Sequence, residues 1–200
     1  IICIEKIGAA ATLVAERFMD SGTAISAFSA ILLYGAIASN TFNFKGALVT
    51  NRDKDAFEWL GRQFEVDKKF VREMFEAKSD LRGERLENVI RSDFVYYMFG
   101  GKSLIIAQIE MIGAHQFLRV RQEDILAVLR QLKKEKNADM IFLNINELET
   151  DENFFVTEEE ETQALLSSLF GGSFENAVAT SPRVRARKEI SVKLKGALEK

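Results

Sequence analysis

The feature that most constrains this chain is a change of rhythm near Lys78. Up to that point apolar residues recur at helical spacing, and beyond it come short aromatic and β-branched runs punctuated by glycine. A chain patterned in this way has to build helices first and a sheet afterwards. The pivotal run is Asp93 to Phe99, then Gly100-Gly101-Lys102, then Ser103 to Ile112, the pattern of a β-hairpin closed on glycines.

Ahead of the change, Ile1–Lys6 reads as a short strand and Ala9–Met19 as an amphipathic helix with Leu13, Val14 and Phe18 on one face. A more apolar helix follows from about Ala24 to Ala38. Thr50 with Asp53 three residues on has the form of a capping box for a helix carrying Phe57, Trp59, Leu60 and Phe64, and Asp67 caps the next, with Phe70, Val71, Met74 and Phe75. The polar stretch from Lys78 to Glu84 reads as a linker. After a short helix around Glu87 and the hairpin, a long helix turns Ile125, Val128, Leu129 and Leu132 inward. Met140–Ile145 and Asn153–Val156 read as strands, and Thr157 with Glu160 predicts a cap for a helix that ends at Gly171-Gly172. The expected class is α/β, with a helical part over 1–78, a linker over 79–90 and a smaller mixed-sheet domain over 91–200.

Composition removes several functions. One cysteine, Cys3, excludes an intrachain disulfide and suits a reducing cytoplasm; one histidine, His115, excludes any site needing two imidazoles. The longest apolar stretch, Ala27 to Ala38, is interrupted by Ser29 and Gly35 and falls short of the roughly 20 residues a bilayer requires. No basic stretch precedes an apolar one at the start, so no signal peptide is read, and the chain reads as an excerpt of something longer.

Charge is unevenly placed. Eight acids and no lysine or arginine lie between Glu147 and Glu161, whereas Ser181 to Lys200 carries a net +5 in a chain of net −3, leaving −8 for the first 180 residues. An acidic body with a basic end argues against duplex nucleic acid as partner, because that binding needs a broad basic face. A localised anion site stays open. The alternation Arg183, Arg185, Arg187 would set three guanidiniums on one face of an extended segment, suited to phosphate oxygens; the competing reading is a solvated edge that discourages strand pairing. Asn40 closes a helix, either as a cap or aimed at a ligand. Gly8-Ala9-Ala10 could offer free amides to phosphate at a helix N-terminus. His115 reads as structural or surface, and Glu158 to Glu161 point in different directions along a helix, so they serve its dipole rather than one ion.

Several of these pieces line up with one family. Leu33-Tyr34-Gly35-Ala36-Ile37-Ala38-Ser39-Asn40-Thr41, then Phe42-Asn43-Phe44-Lys45 and Arg52-Asp53, resembles the end of the first domain of DHH phosphoesterases of the manganese-dependent inorganic pyrophosphatase and exopolyphosphatase branch. Met74 to Leu81, Gly101-Lys102, Ile106-Ala107-Gln108-Ile109-Glu110 and Arg187-Lys188-Glu189-Ile190 resemble that branch's second domain. The resemblance implies the C-terminal part of a DHH domain, then a DHH-associated substrate-binding domain. It implies Mn²⁺ or Mg²⁺ as cofactor, pyrophosphate or short polyphosphate as substrate, and room for a homodimer. Arg187 and Lys188, with Arg185 beside them, are the residues expected to grip phosphate across the cleft between domains. The Asp-His-His metal ligands are expected upstream of Ile1, so the chain alone is expected to be catalytically incomplete. Three positions depart from the family: Asn40 where a metal-binding aspartate is usual, Val95 where a substrate-binding lysine is common, and Ala186 for a serine. An amide brings no charge to a cation, and valine offers phosphate nothing. These departures support a second reading, a non-catalytic phosphate- or nucleotide-binding or assembly module.

Overall fold

The computed structural model describes residues 5–64, 66–67, 69–83 and 85–199. The chain divides into two compact units, Ile1–Ala77 and Lys78–Lys200. Most of the strand expected over Ile1–Lys6 lies outside the described residues, and Glu5 and Lys6 have no regular structure.

The first unit is helical: α1 (Ala10–Ser21), α2 (Ala27–Asn40), α3 (Asn51–Gln63) and α4 (Phe70–Ser79), the last ending just past the division. Helix α2 begins at Ala27 rather than Ala24 because Ser26 caps it, its hydroxyl accepting from the Ser29 amide. Small residues let the helices approach, so Ala15, Ala30, Ile37, Ala56 and Leu60 are buried together. Tyr34 stacks on Phe57 with centroids 3.7 Å apart, and Phe64 meets Tyr34 edge-on at 5.6 Å. The expected capping box at Thr50 forms. The Thr50 hydroxyl accepts from the Asp53 amide, and the Asp53 carboxylate accepts from the Thr50 amide.

The second unit is a five-stranded sheet in the order β1 (Phe94–Phe99), β2 (Lys102–Met111), β3 (Met140–Glu147), β4 (Glu152–Val156), β5 (Val178–Pro182). Only β2 and β3 run parallel, joined by the long helix α6 (Ala114–Lys136), as a parallel pair requires a crossover. Helices α5 (Arg85–Ser92) and α6 bury Leu86, Ile90, Ile125 and Leu129 on one face of the sheet against Ile105, Ile141 and Phe154. Helices α7 (Glu160–Phe170) and α8 (Arg187–Leu198) bury Leu166, Phe170, Ile190 and Leu194 on the other, against Leu104, Ile106, Phe142 and Phe155. With both faces covered, β3 is buried at every position.

The hairpin closes as its glycines predict. Phe99 pairs with Lys102 across Gly100-Gly101, and both glycines have positive φ, +55° and +81°. A Cβ on Gly100 would also sit 1.9 Å from the Leu198 carbonyl oxygen. Gly100→Ala is expected to lower stability by about 1–2 kcal/mol through the left-handed backbone alone, read as a shifted urea midpoint of the second unit.

Four expectations need correction. The span 79–90 is not a linker: Leu81, Leu86 and Ile90 are buried in the second unit's core, and that unit begins at Lys78. Thr157 does not cap α7; its hydroxyl donates to the Ile141 carbonyl at 2.8 Å, and Glu159 stands at the cap position. The stretch after Gly172 contains an unforeseen strand, β5, and the basic end is largely the helix α8. The three arginines therefore do not share one extended face, because β5 stops at Pro182, Arg183 has a φ of +57° and Arg187 opens a helix.

Candidate functional site

One end of the α8-facing side of the sheet is polar where the rest is apolar. Asn146 of β3 lies opposite Asn153 of β4, which lies opposite Ser181 of β5, while Gln108 of β2 lies opposite Asn144 of β3. Gln108, Asn144, Asn146, Asn153 and Ser181 are all buried. Their purpose follows from what crosses them, the segment 184–186 that leads from β5 into α8. Buried backbone groups there need partners. The Arg185 amide donates to Asn146 Oδ1 at 2.8 Å, and its carbonyl accepts from the side-chain amides of Asn144 and Asn146 at 3.0 and 3.1 Å. Asn146 thus holds the Arg185 backbone by both edges, as a neighbouring strand would.

The expected phosphate-binding residues sit on and beside this layer in three different states. Arg183 is spent on Glu189, with its Nη1 also donating to the Val184 carbonyl. The Arg185 side chain turns inward. The residue is 8% exposed, its Nη2 donates to Ser181 Oγ at 3.1 Å, its guanidinium lies 5.5 Å from the centre of the Phe170 ring, and Nε and Nη1 have no partner among the described residues. Burial, and next the charge of Arg183, push its pKa below the ordinary arginine value. A guanidinium so enclosed is not presented to a solvent-borne phosphate.

Arg187 and Lys188 open α8. The Arg187 amide donates to Gln108 Oε1 at 2.8 Å, while its Nη1 and Nη2 donate to the carbonyl and Oδ1 of Asp93 at 2.9 and 2.5 Å. Lys188 is exposed and makes no ion pair with any described residue. Val95 pairs with Ile106, on the face of the sheet that α8 covers.

The remaining candidates fall elsewhere. Asn40 is exposed at the end of α2 and its Nδ2 donates back to the Ala36 carbonyl at 2.9 Å, which is capping behaviour. Among the described residues no group of three or more His, Cys, Asp or Glu could hold a metal ion, so the residues present do not fit an Mn²⁺ or Mg²⁺ centre. The amides at the start of α1 are not free for phosphate: Gly8 and Ala9 both donate to the Asp53 carboxylate at 3.1 Å. His115 is exposed, with Nε2 2.8 Å from Glu152 and its ring edge-on to Phe154. Glu158, Glu159 and Glu161 pair separately with Arg130, Lys133 and Lys102, and so converge on nothing. No helix among the described residues is long and apolar enough to cross a membrane.

The polar layer went unforeseen. Its signal was present as polar residues at alternate positions of otherwise apolar strands, Gln108 and Glu110 in β2 and Asn144 and Asn146 in β3.

Comparison with known proteins agrees with this architecture. The DHHA2 domain family matches residues 72–192. The manganese-dependent inorganic pyrophosphatase of Methanothrix thermoacetophila is 31% identical over 188 residues, covering 92% of this chain and 60% of that protein. The cobalt-dependent inorganic pyrophosphatase of Clostridium perfringens is 27% identical over 92% of this chain and 34% of its own length. The chain thus spans about 60% of the first of these relatives and less of the second. The crystal structure of a Methanococcus jannaschii putative family II inorganic pyrophosphatase shares the fold, with a TM-score of 0.80 at 24% identity over 98% of this chain and 66% of that one. With a buried sheet covered on both faces, a basic pair opening its last helix and a domain match over more than half its length, the chain belongs to the DHH phosphoesterase superfamily and carries that superfamily's DHHA2 domain.

Proposed function

We propose that this chain is part of a metal-dependent phosphoanhydride hydrolase of the inorganic pyrophosphatase type, and that its second unit supplies Arg187 and Lys188 to the phosphates of the substrate. The observation that carries the reading is the state of that pair. Lys188 projects an ammonium that pairs with none of the described residues at the start of α8, beside a guanidinium that is held in place yet 19% exposed. Peptide dipoles add positive potential at the same helix end. Both groups would neutralise charge on phosphate oxygens, including charge that develops on a leaving phosphate. Arg185 is left out of the pair because its guanidinium is enclosed.

The relatives bring in pyrophosphate as substrate and manganese or cobalt as metal, by their names. None of the described residues is assigned to the metal. The second reading, a phosphate-binding module without turnover, is favoured by the amide at Asn40 and the valine at Val95.

Calorimetric titration of pyrophosphate tests the proposal. Loss of one charged contact of about 1.5–3 kcal/mol predicts that Arg187→Ala weakens binding by about 10–150-fold. Unchanged affinity would remove Arg187 from the site. Phosphate release in the presence of Mn²⁺ by the complete protein, with an Asp-His-His segment ahead of this chain, separates the two readings: turnover supports the hydrolase, and binding without release supports the module.

A further inference from the structure

The network around Arg187 closes on itself. Asp93 stands between α5 and β1, and its carbonyl oxygen accepts from the Gln108 amide at 3.0 Å as well as from Arg187 Nη1 at 2.9 Å. Gln108 Oε1 in turn accepts from the Arg187 amide at 2.8 Å and from Asn144 Nδ2 at 3.1 Å. Gln108 Nε2 donates to Glu110 Oε1 at 3.2 Å, and Glu110 is paired with Lys78. One β2 residue therefore holds the Arg187 backbone directly and holds its side chain through the Asp93 carbonyl. The Asp93 carboxylate completes the grip on Nη2 at 2.5 Å.

Among the described residues, two of the five guanidinium N–H groups are engaged in this way, which leaves Nε–H and one hydrogen on each Nη for another acceptor. An arginine fixed before its ligand arrives loses less rotamer freedom on binding. The opposing effect is Coulombic, since a carboxylate beside the guanidinium repels an anion. Asp93 is about half exposed, so water screens that repulsion, whereas a direct hydrogen bond fixes geometry whatever the screening.

From this geometry we infer that Asp93 is a positioning residue for anion binding: it orients the Arg187 guanidinium, with Gln108 holding both, and never itself touches the ligand. The inference rests on the proposed role of Arg187. It leaves Lys188, which has no such tether among the described residues, the less constrained member of the pair.

The test compares Asp93→Ala with Asp93→Asn in the full chain. Asparagine keeps an oxygen able to accept from Nη2 but drops the charge. Loss of one preordering contact predicts that Asp93→Ala binds pyrophosphate about fivefold more weakly, and that Asp93→Asn recovers affinity to within about twofold of the parent. Equal or tighter binding by Asp93→Ala would overturn the inference, showing the carboxylate to be a competitor. A second readout needs no ligand. The Arg187 Nε–H resonance is expected to be sharp in the parent and in Asp93→Asn, and averaged toward free arginine in Asp93→Ala, with the remaining amide spectrum unchanged. An unaltered Nε–H signal in Asp93→Ala would overturn the inference too. Failure of the parent to bind pyrophosphate would count against the proposed function alone, because the resonance still reports whether Asp93 orders Arg187.

Discussion

Replacing Asp53 by alanine is expected to cost the first unit about 3–5 kcal/mol, enough to unfold a domain of ordinary stability. Asp53 is 0% exposed, and its carboxylate collects five hydrogen bonds: from the Gly8 and Ala9 amides, the Thr12 hydroxyl, and the Thr50 amide and hydroxyl. It caps α3 and α1 together. The four partner residues lie in two segments, so removing the carboxylate strands donors of both in a buried place. Gly8 has to be glycine for the same reason, since a Cβ there would stand 2.9 Å from Asp53 Oδ2.

Charge makes this contribution pH-dependent. Desolvation raises the Asp53 pKa, but the hydrogen bonds from Thr12, Thr50 and Gly8 outweigh it and hold the carboxyl below its ordinary 3.8. A depressed carboxyl pKa stabilises the fold fully above the unfolded value and loses that stabilisation as pH falls through the folded one. The first unit should therefore weaken on acidification below about pH 4–5, and Asp53→Asn should flatten that slope. Trp59 of α3 is the chain's single tryptophan, so fluorescence during urea unfolding follows this unit. An Asp53→Ala protein with the parental midpoint would show the carboxylate to be dispensable.

Arg185→Met is expected to act in the opposite direction and stabilise the second unit by about 2–3 kcal/mol, since a buried charge without a counter-ion gives way to a side chain of similar length. Among the described residues the guanidinium leaves Nε and Nη1 unpaired and makes no ion pair with a carboxylate. Its favourable contacts are one hydrogen bond to Ser181 and the Phe170 ring, worth about 1 kcal/mol each. Ser181 would not be orphaned, because its hydroxyl donates to the Phe170 carbonyl at 3.0 Å. Methionine would keep a contact with that ring. A lower urea midpoint by far-ultraviolet circular dichroism would mean that the charge is better compensated than its partners indicate. Anion affinity should be little altered, in contrast to the loss expected from Arg187→Ala.

These two residues illustrate how much could be read in advance. Asp53 was legible as a cap because the Thr50–Asp53 pair lies within one turn, and a box of that span forms from neighbours along the chain. Its second role was not, because Gly8, Ala9 and Thr12 are more than 40 positions away. Those amides therefore looked free. The 79–90 span misled for a related reason. Ser79, Asp80, Arg82 and Gly83 give it a linker's composition, but Leu81, Leu86 and Ile90 need a partner surface, and α6 and the sheet provide it. The arginine alternation was a true pattern whose inference required extended backbone, and the segment turns instead at Arg183 and enters a helix at Arg187.

Sequence alone determined what short-range forces decide: the helix-then-sheet order, the glycine hairpin, the α3 cap and the inward faces of α6, together with the family resemblance. Only the tertiary structure decided which basic groups remain available. That outcome depends on partners far along the chain, Asp93 for Arg187, the Phe170 and Ser181 surroundings for Arg185, and none among the described residues for Lys188. A cation's fate is set by how much water it loses and which acceptor replaces that water, and both are properties of folded space rather than of chain order.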